Sequence, residues 1–270
     1  MKQSRLLVNA AMVSIALLLC SCGTLPNGRG WGQDATIKPG WQRIRESAVH
    51  AAKSPYTWAP LAGALLLQID DWDKNISEWA VDKTPLFGSQ RSAENASDTL
   101  RSLSVAASII TTLATPSGDS SSDWLAAKSK GIAVAAAANL LDGGVTSTLK
   151  NWTDRTRPDG SDDRSFPSGH SSVSAVNATL AARNLQSIEM GTNYRRAMGI
   201  GFGLFAGGAA WARVEANLHY PSDVLVGAAL GHFLGAFVND AFLGLNRTDN
   251  QSIDLSLAPE LVLIQIHLVF

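Results

Sequence analysis

The sequence PSGHSSVSAVNATLAARNLQS, residues 167–187, decides the fold of the chain. A proline and a serine precede a long run of small and aliphatic residues, which predicts a helix from Ser168 to Ser187. The free N–H groups of a first helical turn attract anions, and Gly169 lets a ligand approach the backbone closely. The helix start is therefore either a plain cap or an anion-binding turn.

Long segments rich in Ala, Gly and Leu lie on both sides of this stretch. They contain few β-branched alternations, so the body is expected to be mostly α-helical. The predicted helices cover residues 41–54, 56–69, 98–114, 122–150 (one or two helices), 168–187, 193–214 and 221–245.

The composition limits the class of protein. The chain has 270 residues and a net charge of -1, which suits one domain and argues against a nucleic-acid partner. Its apolar runs are interrupted by ionisable residues such as Asp142, His232 and Asp240. An ionisable group at mid-bilayer is costly, so we expect the helices to form a buried core and not to cross a membrane.

The N-terminus predicts a targeting segment. Residues 1–21 combine a short positive region with an apolar run that is too short to span a bilayer comfortably. The run ends in a pattern that resembles a bacterial lipoprotein box, with Cys22 as the lipidated residue; an ordinary signal peptide or an uncleaved anchor is the alternative. Gly23, by resemblance to bacterial sorting rules, favours a periplasm-facing lipoprotein of the outer membrane. Residues 22–40 contain Pro and Gly breakers and are expected to form a flexible tether.

The C-terminus changes character. Apolar residues alternate over residues 252–270, and the segment 249–270 is expected to form a small β-hairpin. It would pack on the helical body or on a second copy of the chain, which would make a homodimer. Its terminal Phe270 also resembles the last strand of an outer-membrane barrel, although one hairpin cannot close a barrel.

Three clusters of charged and polar residues stand out from the sparsely charged helices. They are Lys150 with Arg157-Pro158, then Pro167-Ser168-Gly169-His170, then Arg213 with His219 and Asp223. The three cations either converge on one multiply charged anion, which suits the planar fork of Arg, or are solvated cations at helix ends.

His219 and Asp223 lie four residues apart around a predicted helix start. A carboxylate at that spacing can accept a hydrogen bond from one imidazole nitrogen, which leaves the other free to attack phosphorus. A single His on an apolar helix is more often a core residue, and His232 is interpreted in that way. Asp162 and Asp163 are interpreted as solvated loop residues, with a gating role as the alternative.

Together the clusters resemble the K-x6-R-P, P-S-G-H and S-R-x5-H-x3-D signature of the type 2 phosphatidic acid phosphatase and haloperoxidase superfamily. Ala212 replaces the Ser of the third motif, and the loop from Pro158 to Pro167 is short for the family. The resemblance implies a helical bundle of the acid phosphatase and haloperoxidase type, which we place at residues 41–248.

The resemblance also implies a role for each matching residue. His219 would attack phosphorus, Asp223 would orient it, and His170 would protonate the leaving oxygen. The phosphoryl oxygens would be held by Lys150, Arg157, Arg213, Ser168 and Gly169. Such a reaction needs no metal or other cofactor, and the sequence offers no convincing metal cluster.

Four functions agree with these motifs. The first is a phosphatase of a phosphorylated lipid (phosphatidate, a polyprenyl diphosphate or a lipid A), held at the membrane by the lipid anchor. The second is a soluble periplasmic phosphatase of small phosphomonoesters. A vanadate-dependent haloperoxidase uses the same pocket but is usually longer than this chain, and a non-catalytic envelope lipoprotein would not require both His170 and His219.

Overall fold

Helices account for most of residues 22–244, the range that the computed structural model describes. They are α1 (Trp41–Lys53), α2 (Pro55–Leu66), α3 (Trp72–Lys83), α4 (Gln90–Ala114), α5 (Ser121–Thr153), α6 (Gly169–Leu185), α7 (Thr192–Glu215) and α8 (Pro221–Phe242). Over the described range, strand pairing is limited to one isolated bridge between Gly23 and Gly118. The mostly α class is confirmed, whereas the signal peptide at 1–21 and the hairpin at 249–270 lie outside the described residues.

Helix α6 forms the centre of the bundle, where it contacts α4, α5, α7 and α8. Most of its residues are buried, including Val176 and Leu180. Glycines on α8 allow the close contact of α6 with α8: a Cβ at Gly227 would lie 2.5 Å from the carbonyl oxygen of Ser168, and one at Gly231 would lie 2.1 Å from that of Ser172. This packing brings the first turn of α6 beside the first turns of α8.

The helix starts differ from the sequence predictions in two places. α4 begins at Gln90, earlier than predicted, because the side chain of Ser89 accepts a hydrogen bond from the Ser92 N–H and caps the helix. α3 was not predicted at all. Its polar residues weaken the apolar period, and its buried face consists of Asp73, Ser77 and Ala80.

The segment that was interpreted as a flexible tether packs on the junction of α4 and α5. Trp31 is 1% exposed, and its backbone N–H donates to the carbonyl oxygen of Pro116 at 2.7 Å. The Nζ of Lys128 lies 5.3 Å from the centroid of the Trp31 ring and donates to the carbonyl oxygens of Thr112 and Thr115 at the end of α4. The contact of the buried Trp31 ring with the ammonium group of Lys128 gives residues 22–40 a defined position.

The expectation that the helices form only a buried core needs correction. α5, α7 and α8 are each long and apolar enough to cross a membrane, and only 22% of the apolar window of α5 is buried inside the protein. Leu140 on α5 and Leu204 on α7 are 77% and 68% exposed. The ionisable groups that argued against spanning point inward: Asp142 accepts a hydrogen bond from Ser172 Oγ, and Asp240 lies 2.8 Å from Arg183. Paired in this way, they do not meet lipid.

Candidate active site

The three sequence clusters converge at one end of the bundle. The last turns of α5 and α7 supply Lys150 and Arg213, and the first turns of α6 and α8 supply His170 and Asp223. Residues 154–168 connect α5 to α6 across this end. Residues that are far apart in the sequence therefore form a single polar site.

His219 lies between α7 and α8 and is 2% exposed. Its Nδ1 lies 3.7 Å from Asp223 Oδ2, which is an ion-pair distance and longer than a hydrogen bond. Burial, followed by the charges of Lys150 and Arg213, lowers the pKa of His219 to about 4, although Asp223 acts in the opposite direction. The imidazole is therefore neutral at ordinary pH, the state in which a histidine is able to act as a nucleophile.

Asp223 is fully buried and held by three donors besides its proximity to His219. Its Oδ2 accepts from the Tyr220 N–H at 2.9 Å and from Ser165 Oγ at 2.5 Å. Its Oδ1 accepts from Arg155 Nη1 at 2.7 Å. With both oxygens occupied, the carboxylate has one orientation and presents Oδ2 to His219.

The three predicted phosphate ligands lie close to one another, and two of them, Lys150 and Arg213, act electrostatically on His219. Arg157 interacts electrostatically with both Lys150 and Arg213, like charge against like charge. Arg157 Nε lies 2.5 Å from Asp162, and Lys150 Nζ donates to the carbonyl oxygen of Arg164. Arg213 is 6% exposed, and its buried Nε has no hydrogen-bond partner within residues 22–244. A bound anion would relieve both the repulsion and the unpaired donor.

His170 occupies the first turn of α6, with its side chain 23% exposed. Its Nε2 lies 2.8 Å from Asp98 Oδ1, on α4. Burial and the charge of Arg213 lower the pKa of His170, while the hydrogen bond to Asp98 acts in the opposite direction; the same bond lowers the pKa of Asp98. Asp98 therefore keeps its charge and holds one ring nitrogen of His170.

Ser168 and Gly169 play different parts in the structure. Ser168 is fully buried; its Oγ accepts from the Ser171 N–H at 3.5 Å, and its N–H donates to the carbonyl oxygen of Asp223 at 3.0 Å. Its hydroxyl thus caps α6. A Cβ at Gly169 would meet only Thr146 and Lys150, at 3.8 and 3.9 Å, so the backbone there is open beside Lys150.

Several residues of the site escaped the sequence analysis. Asp98, Asp73 and Ser165 lie outside the motif positions, and no sequence pattern marks them; Arg155 stands two residues before Arg157 and could have been considered. Asp162, which was interpreted as a solvated loop residue, pairs with Arg157. Among residues 22–244, no group of three or more His, Cys, Asp or Glu side chains is placed to hold a metal ion.

Comparison with known proteins agrees with this architecture. Residues 131–246 match the model of the PAP2 superfamily. The fold is similar to that in the crystal structure of the first transmembrane PAP2 type phosphatidylglycerolphosphate phosphatase from Bacillus subtilis, at 22% sequence identity and a TM-score of 0.51. The match covers 69% of this chain and 95% of that one. A search of the curated proteins gives no match.

The family-model match and the fold together support a phosphoric ester hydrolase as the class of the protein. The residues that match the PAP2 superfamily model, 131–246, contain all three motif clusters.

Proposed function

We propose that the chain is a metal-independent phosphatase that removes a phosphate from a lipid through a phosphohistidine on His219. The observation that carries the proposal is the neutral, buried imidazole of His219, which lies 3.7 Å from a fixed carboxylate and within the electrostatic reach of Lys150 and Arg213. A neutral nucleophile beside cations that can bind an anion suits attack on a phosphoryl group.

In the first step, Lys150, Arg157 and Arg213 hold the phosphoryl oxygens. The Nε2 of His219 attacks phosphorus in line, and the bond from phosphorus to the leaving oxygen breaks. Asp223 accepts the Nδ1–H of His219 and stabilises the positive charge that develops on the ring. His170 gives a proton to the leaving oxygen from the ring nitrogen that Asp98 does not hold.

In the second step, the neutral His170 takes a proton from a water molecule. The oxygen of that water attacks phosphorus, the bond from phosphorus to His219 breaks, and phosphate leaves with the electron pair of that bond returned to the imidazole. Both histidines then regain their starting protonation states. Fixed cations stabilise the charge on the equatorial oxygens in both steps without reorganising.

The surroundings of the site favour a lipid phosphate over a small soluble one. Trp152 is 84% exposed, only two residues beyond Lys150, and exposed apolar side chains continue along α5 and α7. Trp side chains are enriched where a protein meets the boundary between hydrocarbon and water. A phosphorylated headgroup at that boundary would reach the cations while its hydrocarbon tail stays in lipid.

Cys22 is proposed as the lipid anchor, and it lies far from the site. The bridge of Gly23 with Gly118 places it beside the start of α5, whereas Lys150 is at the other end of that helix. At 1.5 Å per residue, the helix separates them by about 43 Å, close to the thickness of a bilayer with its headgroups. The proposed location is the cell envelope, with the outer membrane as the expected site of an anchored chain.

The test is phosphate release by the purified protein in detergent, with His219→Ala as the inactive variant. The substrates are p-nitrophenyl phosphate, phosphatidate and a polyprenyl diphosphate, each with EDTA, and vanadate is added in a separate arm. We expect metal-independent release that favours the lipids, is blocked by vanadate and is lost in the variant. Full activity of folded His219→Ala would refute the phosphohistidine, and preference for p-nitrophenyl phosphate would refute the lipid substrate.

A further inference from the structure

One guanidinium joins two buried carboxylates beside His219. Arg155 Nη1 donates to Asp223 Oδ1 at 2.7 Å, and Arg155 Nη2 donates to Asp73 Oδ2 at 2.8 Å. Its Cζ also lies 4.3 Å from the centroid of the Tyr220 ring. The planar fork of Arg is rigid, so these contacts fix both carboxylates relative to each other.

Asp73 belongs to α3, which lies outside residues 131–246, the range that matches the family model. Its side chain is 8% exposed, and it accepts from the Ser222 N–H at 2.7 Å and from Ser222 Oγ at 2.5 Å. Arg155 Nη1 also donates to Ser222 Oγ, at 2.9 Å. α3 is therefore attached to the first turn of α8, the turn that carries Asp223.

The two oxygens of Asp223 have separate partners. Oδ1 is taken by Arg155, while Oδ2 faces Nδ1 of His219. We infer that Asp73 and Arg155 are positioning residues for the nucleophile: Asp73 orients Arg155, Arg155 fixes Asp223, and Asp223 aims His219. The inference rests on the proposed function and extends its machinery to a helix that the motifs do not include.

The guanidinium of Arg155, which lies between Asp73 and Asp223, also balances the charge around His219. Arg155 stands between two carboxylates, while Lys150 and Arg213 act on His219 directly and Arg157 Nη1 reaches the carbonyl oxygen of Leu218 at 3.4 Å. Without Arg155, two neighbouring buried carboxylates would remain, and their excess negative charge would favour the protonated imidazole. Without the charge of Asp73, no such excess arises. Replacement of Arg155 and replacement of Asp73 should therefore have different effects on the pH dependence of activity.

The experiment compares Asp73→Asn and Arg155→Met with wild type, on phosphatidate in detergent micelles. Asn keeps an oxygen that can accept from the Ser222 N–H, and Met removes the charge of Arg155 while keeping much of its length. Glu78→Gln, an exposed carboxylate on the same helix, is the matched control. The measurements are kcat and KM separately, the pH profile of kcat/KM, inhibition by vanadate and thermal unfolding.

We expect kcat of Asp73→Asn to fall on the order of tenfold to a hundredfold, with little change in KM or in vanadate inhibition, because the cation pocket stays intact. In Arg155→Met the acid limb of kcat/KM should move to higher pH, whereas in Asp73→Asn it should not. Glu78→Gln should behave as wild type.

Wild-type kcat and an unshifted profile in both variants would overturn the inference. A fall in kcat that only follows a loss of folded protein, together with lost vanadate inhibition, would show a purely structural role and would overturn it as well. An inactive wild type, in contrast, would refute the proposed function itself, so the two failures are distinguishable.

Discussion

Replacing Arg213 by Met should stabilise the folded chain while it reduces activity. The guanidinium is 6% exposed, and its Nε has no hydrogen-bond partner in the described part of the chain. Arg157 and Arg101 repel it, while Glu94 and Asp98 attract it without a hydrogen bond to that Nε. An unsatisfied buried donor costs about 1–3 kcal/mol. We therefore expect the free energy of unfolding of Arg213→Met to rise by about 1–2 kcal/mol, since Met fills much of the same volume without a charge.

The catalytic loss follows from the same geometry. If Arg213 donates two charge-assisted hydrogen bonds to the phosphoryl group, each contributes about 1.5–3 kcal/mol. The sum of at least about 3 kcal/mol corresponds to a loss of kcat/KM on the order of a hundredfold or more. Phosphate release from phosphatidate measures this loss, and thermal unfolding in the same detergent measures the gain in stability.

A ligand separates this explanation from general damage. Vanadate should raise the unfolding temperature of wild type more than that of Arg213→Met, because only wild type gains a partner for the buried donor. The exposed Arg91 at the start of α4 provides a matched control, and Arg91→Met should change neither activity nor the vanadate effect. A less stable Arg213→Met variant, or one with wild-type kcat/KM, would refute the reasoning.

Three further predictions concern protons and the anchor. Activity requires a neutral His219, whose pKa of about 4 sets the acid limit, and a protonated His170, whose pKa is lowered. We therefore expect kcat/KM to be highest in mildly acidic buffer and to fall as pH rises. An alkaline optimum would contradict these protonation states. Asp98→Asn should lower the pKa of His170 further and move the alkaline fall of kcat/KM to lower pH. Activity should decrease more on phosphatidate than on p-nitrophenyl phosphate, because the leaving group of the latter needs less protonation. Equal decreases on both substrates would exclude a role of Asp98 in proton donation by His170. Cys22→Ser should abolish incorporation of labelled palmitate while purified activity in detergent is kept, and continued labelling would exclude Cys22 as the anchor.

The sequence marks the motif residues that converge on the site, whereas it does not mark the residues that support them. Lys150, Arg157 and Arg213 are marked by charge in or beside sparsely charged helices, and His219 and Asp223 stand four residues apart around a predicted helix start. Asp73 and Asp98 come from α3 and α4, and nothing local distinguishes them from exposed helix carboxylates. Only the packing of α3 on α8 and of α4 on α6 gives them partners, and such long-range contacts do not appear in a local pattern.

Whether the helices can cross a membrane also depends on long-range contacts that a local sequence pattern does not show. Asp142 and Asp240 argue against a membrane span only if each faces lipid, and a sequence does not say which way a side chain points. Their partners, Ser172 and Arg183, both lie on the central helix α6. A bundle that pairs its ionisable groups on an inner helix leaves apolar side chains such as Leu140 outside. The interruptions in the apolar runs therefore mark the inner faces of the helices, and the same arrangement that satisfies them frees the outer faces for lipid.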